Sequence, residues 1–294
     1  MTPTGILLVD KPGGMTSHDV VSRTRRALGT RKVGHAGTLD PMATGLLLLG
    51  VGSSTRLLTY LVGLGKRYTA TIRLGVATDT DDAEGEVTAT ADASTVTRAA
   101  IDSAIAGLTG TISQVPSTYS AVKVEGRRSY DRARAGEEVV LAPRVVTVSR
   151  FDVLAERRDG PFADLDVVVE CTSGTYIRAL ARDLGAALGV GGHLTALRRE
   201  SIGAFRVQDA LPLDALAEGS LRSPAVVAAE LFPTARLDAA QATDLTHGKR
   251  VALAVGDAPV VAAITEDGRL AGLVSVTAGS ARVLVNFPTD EVLA

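Results

Sequence analysis

The chain alternates short apolar runs with helical stretches, but never in the strict strand–helix–strand order that a doubly wound parallel sheet requires. Gly5–Asp10 reads as a short buried strand, GILLVD, stopped by Lys11-Pro12-Gly13-Gly14. A helix follows, capped by Thr16 or Ser17, with Asp19 in its first turn and its end before Gly29. Val33–Pro41 is Gly-rich and reads as a loop whose backbone other groups can approach closely. Gly45–Val51 predicts a second buried strand and Ser54–Leu64 a short helix. Lys66–Leu74 alternates through Tyr68, Ala70, Ile72 and Leu74, the pattern of a half-buried strand. Helical spacing covers Thr95–Leu108 behind a Ser94 cap, and a hairpin is expected at Val122–Arg127 with a basic helix near Ser129–Ala135. Strands at Val145–Leu154 and Leu165–Cys171 precede a helix at Tyr176–Leu188 closed by Gly189. The order predicts an α+β fold built on a mixed, largely antiparallel sheet.

Ala217–Pro233, with Gly219, Ser220, Pro224 and Pro233, reads as a connector. Beyond it, Val251–Val255, Val260–Ile264, Gly272–Val276 and Val283–Phe287 are short apolar strands between Gly/Asp turns, the pattern of a small β-barrel. The expected division is therefore a large domain over residues 1–230 and a small module over 231–294. Aromatics make up 3% of the chain and Trp is absent, so the core must be packed with Val, Leu, Ile and Ala.

Several function classes fall away. No apolar run approaches the roughly 20 residues needed to cross a bilayer. The first residues have neither the basic start nor the apolar stretch of a signal peptide. A single cysteine, Cys171, cannot form an internal disulfide, so a reducing, cytoplasmic location is expected. His18, His35, His193, His247 and Cys171 fall at no metal-ligand spacing. The acidic stretch Asp79–Glu86 fails as a calcium loop because Glu84 stands where Gly is needed and Thr90 where Glu is needed, which leaves a solvated acidic loop. No phosphate-binding loop is present, and Gly50-Val51-Gly52 lacks the third glycine of a dinucleotide fingerprint.

The net charge of −2 hides a segregation. Lys11–Arg73 carries ten Lys/Arg against two acids, whereas Leu74–Pro116 carries seven acids against one Arg. Val207–Ala294 is acidic again, with eleven acids against six cations. A basic face on an acidic body is what a polyanion-binding protein presents. Within the basic segment, Asp40 lies in His35-Ala36-Gly37-Thr38-Leu39-Asp40-Pro41-Met42-Ala43-Thr44-Gly45. Neighbouring positive charge favours its ionised form. From the residues alone, Asp40 is either a ligand-facing carboxylate on a rigid loop or the cap of a helix or turn that follows.

GHAGTLDPMATGLLLLGVGSSTRL resembles the active-site motif of the TruB family of bacterial tRNA pseudouridine-55 synthases. GILLVDKPGGMTSHDVV, KRYTATIRLGVATDTDDAEGEV, QVPSTYSAVKVEGRRSYDRARAG, VECTSGTYIRALARDLG and HLTALRR extend the resemblance in family order across residues 5–206. Met42 stands where the family more usually has Leu. The C-terminal strands are similar to the RNA-binding PUA module.

The resemblance implies a mixed, largely antiparallel sheet with a central active-site cleft and a PUA-like β-barrel. It implies isomerisation of uridine 55 in the T-stem-loop of tRNA, by base flipping, without metal or cofactor. Asp40 would be the catalytic carboxylate, Tyr68 would stack on the uracil, and Arg178 would pair with the carboxylate. His35 would fill the space left by the flipped base, Tyr176 would line the pocket, and Leu197 would touch the base. Lys11, Arg31, Lys32, Lys66, Arg67 and Lys123 are candidate phosphate contacts. A monomer is expected, with no membrane partner. Two other classes compete: an RNA-binding or RNA-folding module without essential chemistry, and a zinc deaminase, which a single cysteine disfavours.

Overall fold

The computed structural model describes residues 3–119, 123–124, 127–128, 141–216 and 221–287, with 123–124 and 127–128 as backbone. The expected basic helix near 129–135 and the side chain of Lys123 lie outside the described residues. Strands in the first half are β1 (Gly5–Lys11), β2 (Val33–Ala36), β3 (Thr44–Val51), β4 (Lys66–Leu74), β5 (Val76–Thr78), β6 (Val87–Thr90) and β7 (Gly110–Gln114). Next come β8 (Lys123–Val124), β9 (Arg127–Arg128), β10 (Arg144–Asp159), β11 (Phe162–Cys171), β12 (Gly192–Ile202), β13 (Phe205–Arg206) and β14 (Leu211–Pro212). The last are β15 (Thr234–Leu237), β16 (Val251–Ala252), β17 (Ala258–Thr265), β18 (Leu270–Thr277) and β19 (Ser280–Asn286). The helices are α1 (Ser17–Ala27), α2 (Leu58–Val62), α3 (Arg98–Gly107), α4 (Ile177–Ala187), α5 (Pro224–Leu231) and α6 (Ala239–Thr246).

The chain divides into two compact units, one of Met1–Pro41, Gly45–Val62 and Arg206–Ala294, the other of Met42–Thr44 and Gly63–Phe205. In the first, β3 lies between β1 and β2 and pairs antiparallel with both, in registers Gly5↔Val51 to Lys11↔Gly45 and Val33↔Val51 to Ala36↔Leu48. Both faces of β1 and β3 are buried, which is why they read as unbroken apolar runs rather than alternating ones. Leu7, Val9, Leu47 and Leu49 pack against Val20, Val21 and Leu28 from α1 and its end. Of the two caps the sequence offers, Thr16 is the one that caps α1, in a reciprocal capping box with Asp19. The same unit carries the C-terminal sheet, a curled half-barrel of order β15-β17-β18-β19-β16 with one parallel pair, β15–β17. Leu237, Leu245, Val261 and Val274 lie in its core.

The second unit is an antiparallel sheet in which β4 runs between β11 and β12 and the long β10–β11 hairpin continues to β7. Ile177, Leu180, Ala181 and Leu184 form the buried face of α4. β8 and β9 pair as the expected hairpin.

Three expectations change. Val33–Ala36 is a strand, not loop: its backbone pairs with β3, and Val33 and Ala36 point inward. The N-cap of α3 is Thr97, whose hydroxyl accepts from the Ala100 N–H, while Ser94 belongs to a turn closed on Asp92. Part of the connector folds as α5, because Ser223 caps it, Pro224 suits its first turn, and Val227 and Ala228 are completely buried.

Candidate active site

Asp40 sits in the loop Gly37–Ala43 between β2 and β3. A strand follows the loop, so no helix start is there for Asp40 to cap. Glycines bound the segment: Gly37 has φ +89° and Gly45 φ +102°, a region that strains other residues. Leu39 is buried, Asp40 half-buried and Pro41 exposed.

Both neighbours of Asp40 are clamped. The Leu39 N–H donates to Ser17 Oγ at 2.8 Å, and Ser17 Oγ donates back to the Leu39 carbonyl at 3.1 Å. The Pro41 carbonyl accepts from the Gly14 N–H at 2.9 Å and from Lys11 Nζ at 3.2 Å. Lys11 Nζ also donates to the carbonyls of Met15 (2.7 Å) and Pro12 (2.9 Å). Lys11, expected as a phosphate contact, is 0% exposed, so its ammonium is a pin for the Asp40 loop with no surface to offer a phosphate. His35 is half-buried on β2, opposite Leu49, on the strand that leads into this loop.

Removing the Ser17 clamp leaves a buried N–H and a buried C=O of Leu39 without this partner, an effect worth roughly 1–3 kcal/mol. Ser17→Ala is therefore expected to loosen the Asp40 loop. Hydrogen exchange at the Leu39 amide should speed up by about 10–100-fold while α1 keeps its protection. Unchanged exchange at Leu39 would refute the clamp.

In the other unit, β4 directs Tyr68, Ala70, Ile72 and Leu74 to its buried face. The β4–β12 register sets Tyr68 opposite Arg199 and Ala70 opposite Leu197, so buried Leu197 is the diagonal neighbour of Tyr68 on that face. Arg67 points the other way and lies 3.9 Å from Glu170. Tyr176 stands at the N-cap of α4, where its N–H donates to Gln114 Oε1 (2.8 Å) and its carbonyl accepts from Gln114 Nε2 (3.1 Å). Arg178 follows in the first turn, 4% exposed. Its guanidinium donates to the carbonyls of Thr80 (2.8 Å) and Tyr119 (2.7 Å) and lies 3.2 Å from a carboxylate oxygen of Asp82.

Asp82 belongs to the stretch expected as a solvated acidic loop; Asp79, Glu84 and Glu86 are exposed as expected, but Asp81 and Asp82 are both buried, which corrects the expectation for these two. The second oxygen of Asp82 accepts from Thr80 Oγ1 (2.6 Å) and the Glu84 N–H (3.1 Å). Asp81 Oδ2 lies 3.2 Å from Arg182 on the next turn of α4. Burial pushes the Asp81 carboxyl above its usual range, against the Ser117 hydroxyl and the Arg182 and Arg178 charges. Two like-charged loop residues thus become partners of two arginines one helical turn apart. Acids clustered in a loop signal nothing of this kind in the sequence until α4 is in place.

Lys66, another expected phosphate contact, is also buried, with Nζ donating to the Leu64 carbonyl at 2.8 Å. Burial, helped by the Arg199 charge and opposed by Cys171, pushes its ammonium down to about 8. Burial likewise pushes the Cys171 thiol up to about 11. Above pH ~8 the native chain releases the Lys66 proton while the unfolded chain holds it to ~10.5, so stability should rise with pH across that window. Cys171 acts oppositely between about 9 and 11, where the native state holds the extra proton. The melting temperature is therefore expected to climb from pH ~7.5 to ~9 in the parent and to climb less in Lys66→Met. Equal slopes in the two proteins would contradict the buried ammonium.

Among the described residues, no three His, Cys, Asp or Glu side chains are grouped to hold a metal ion. No helix there is long and apolar enough to cross a membrane.

Residues 25–177 match the TruB family pseudouridylate synthase N-terminal domain, 178–230 the tRNA pseudouridylate synthase B C-terminal domain, and 232–288 the tRNA pseudouridine synthase II C-terminal domain. The chain is 58% identical to a protein named tRNA pseudouridine synthase B from Leifsonia xyli, over 99% of both chains. It is 59% identical to the protein of that name from Nocardia farcinica, over 90% of this chain and 87% of that one. Its fold matches a Cbf5–Nop10–Gar1 complex with a TM-score of 0.70 at 25% identity, covering 98% of this chain and 84% of that one. A similar match, TM-score 0.70 at 24% identity over 97% and 86%, is to an H/ACA ribonucleoprotein bound to a substrate RNA containing 2′-deoxyuridine. A motif series read in order along the sequence, an α+β fold shared with these enzymes and near-complete alignment with curated relatives agree, and the chain belongs to the TruB family of pseudouridine synthases.

Proposed function

We propose that this chain isomerises uridine 55 in the T-loop of tRNA to pseudouridine, in the cytoplasm, as a monomer, with Asp40 as the catalytic carboxylate and no cofactor. In that reaction the N1–C1′ bond breaks, the freed uracil turns, and a C5–C1′ bond forms. The C5 proton is lost to solvent and N1 gains one, so the product is an isomer of the substrate.

The near-complete alignment with a relative named for tRNA, at 58% identity, is what carries the substrate class. Support for Asp40 comes from its loop: a carboxylate whose two neighbours are fixed by Ser17, Gly14 and Lys11 is held ready rather than left to find its place. A stacked T-loop base must first be extruded, at a cost of a few kcal/mol. His35, on the strand entering the Asp40 loop, takes the place of the extruded base. Tyr68 stacks on the uracil, with Leu197 beside it on the same sheet face and Tyr176 lining the pocket. Arg178 supplies a guanidinium that orients a carboxylate.

The test is tritium release from tRNA transcripts carrying 5-³H-uridine, with no metal or cofactor added. Release from the wild-type transcript, absent when position 55 is cytidine, is the expected result. Binding without release would refute the enzyme assignment, and release from the position-55 variant would refute the site.

A further inference from the structure

Two clusters of surface cations on this chain differ in a way the sequence does not show. On the outward face of the second unit's sheet they are neutralised in place. Arg73 lies 2.8 Å from Asp164, Arg150 is paired with Asp152, Arg157 with Asp166, and Arg198 lies 3.6 Å from Glu200. On α1 and the turn after it the reverse holds. Residues 20–39 contain five cations and no acid. Arg25 is turned inward, its guanidinium donating to the Val33 carbonyl at 3.0 Å. Arg23, Arg26, Arg31 and Lys32 are exposed, and among the described residues no ion pair within 4 Å or hydrogen bond engages their side chains, although the Arg23 charge acts on Asp19 one turn earlier. Asp19, the one acid of α1, is already occupied as half of the capping box with Thr16.

The backbone places these four together. Arg23 and Arg26 are one helical turn apart on α1, a Cβ separation of about 5–6 Å. The turn is folded back on the helix end: Gly29 N–H donates to the Arg26 carbonyl and Thr30 N–H to the Arg25 carbonyl. Lys32 is held from the other side, its carbonyl accepting from the Gly52 N–H at 2.8 Å.

We infer that Arg23, Arg26, Arg31 and Lys32 form a docking strip for the sugar–phosphate backbone of the substrate RNA. Unpaired, exposed cations on a fixed backbone can each displace a counterion from a phosphate, whereas the paired arginines of the sheet face would first have to give up a carboxylate. This strip thus replaces Lys11, Lys66 and Arg67 as the electrostatic footprint, since the first two are buried and the third lies beside Glu170. The inference rests on RNA being the substrate. It is tested by binding alone, so it can fail while tritium release stands, and the reverse.

The experiment measures Kd for an unmodified tRNA transcript across a series of salt concentrations. The variant combines Arg23→Gln, Arg26→Gln, Arg31→Gln and Lys32→Gln. Binding is expected to weaken by about 100-fold at low salt, and the slope of log K against log salt to fall by roughly 1 per contact removed. Each pair of substitutions, on the helix or on the turn, should give about half the slope change. Arg157→Gln, from the paired population, should leave Kd within about twofold. All four strip residues are exposed, so melting temperatures should match the parent. An unchanged slope in the quadruple variant would overturn the strip. Displacement of the transcript by polyglutamate at equal charge would overturn it too, by making the partner an acidic polypeptide.

Discussion

Asp40→Asn is expected to lower tritium release from tRNA on the order of 10⁴-fold while Kd for the same transcript stays close to that of the parent. The substitution exchanges one oxygen for an NH₂ group and leaves the shape of the loop alone. The clamps described above act on Leu39 and Pro41, so they do not depend on which side chain stands between them. Loss of a carboxylate therefore separates from loss of a loop. Asp40→Glu sharpens the point, because it keeps the charge and displaces it by one methylene. A misplacement of about 1 Å at a reacting group can reduce rate by ~10²-fold, so this variant should fall between parent and Asn. Release by Asp40→Asn at the parental rate would remove the carboxylate from the reaction. Loss of binding together with release, without a fall in melting temperature, would make Asp40 a binding group instead.

What the sequence disclosed here follows the physics of each segment. β1, α1, β3 and β4 were legible because local pattern and burial coincide: two unbroken apolar strands, a capping box, and one clean alternation. β12 was not read as a strand. Its register against β4 shifts between Leu194 and Ala196 and again between Arg199 and Ser201, so the period-two signal is broken twice. It also turns a charged residue inward, since Arg199 is 1% exposed, which no hydrophobicity pattern anticipates. The family motif singles out Asp40, Tyr68 and Arg178 as candidates. It said nothing of Ser17 or Asp82, whose roles come from contacts 22 and 96 residues away along the chain. Charge counting failed in both directions for the same reason. It counts Lys11 and Lys66 as surface cations and Asp81 and Asp82 as surface acids, and only packing reveals that all four are inside.

The buried pair of Asp82 and Arg178 gives the second large effect. Asp82→Ala strips Arg178 of a carboxylate 3.2 Å away and deprives Thr80 Oγ1 and the Glu84 N–H of their acceptor. Removing one partner of a buried ion pair costs about 3–5 kcal/mol, because the remaining charge stays where water cannot reach it. For a chain of this size the melting temperature should fall on the order of 10 °C. Asp82→Asn keeps an oxygen for Thr80 and Glu84 and should lose less. Asp82→Leu combined with Arg178→Met should recover much of the stability, since burying two apolar groups avoids the desolvation that the ions incur. The double variant should nevertheless remain inactive in tritium release, for it has regained a packed loop but not the guanidinium. A melting temperature within about 1 °C of the parent in Asp82→Ala would show that the pair contributes nothing to holding this loop on α4. Restored release in the stabilised double variant would show that Arg178 serves the fold alone, and that its place in the reaction belongs to another residue.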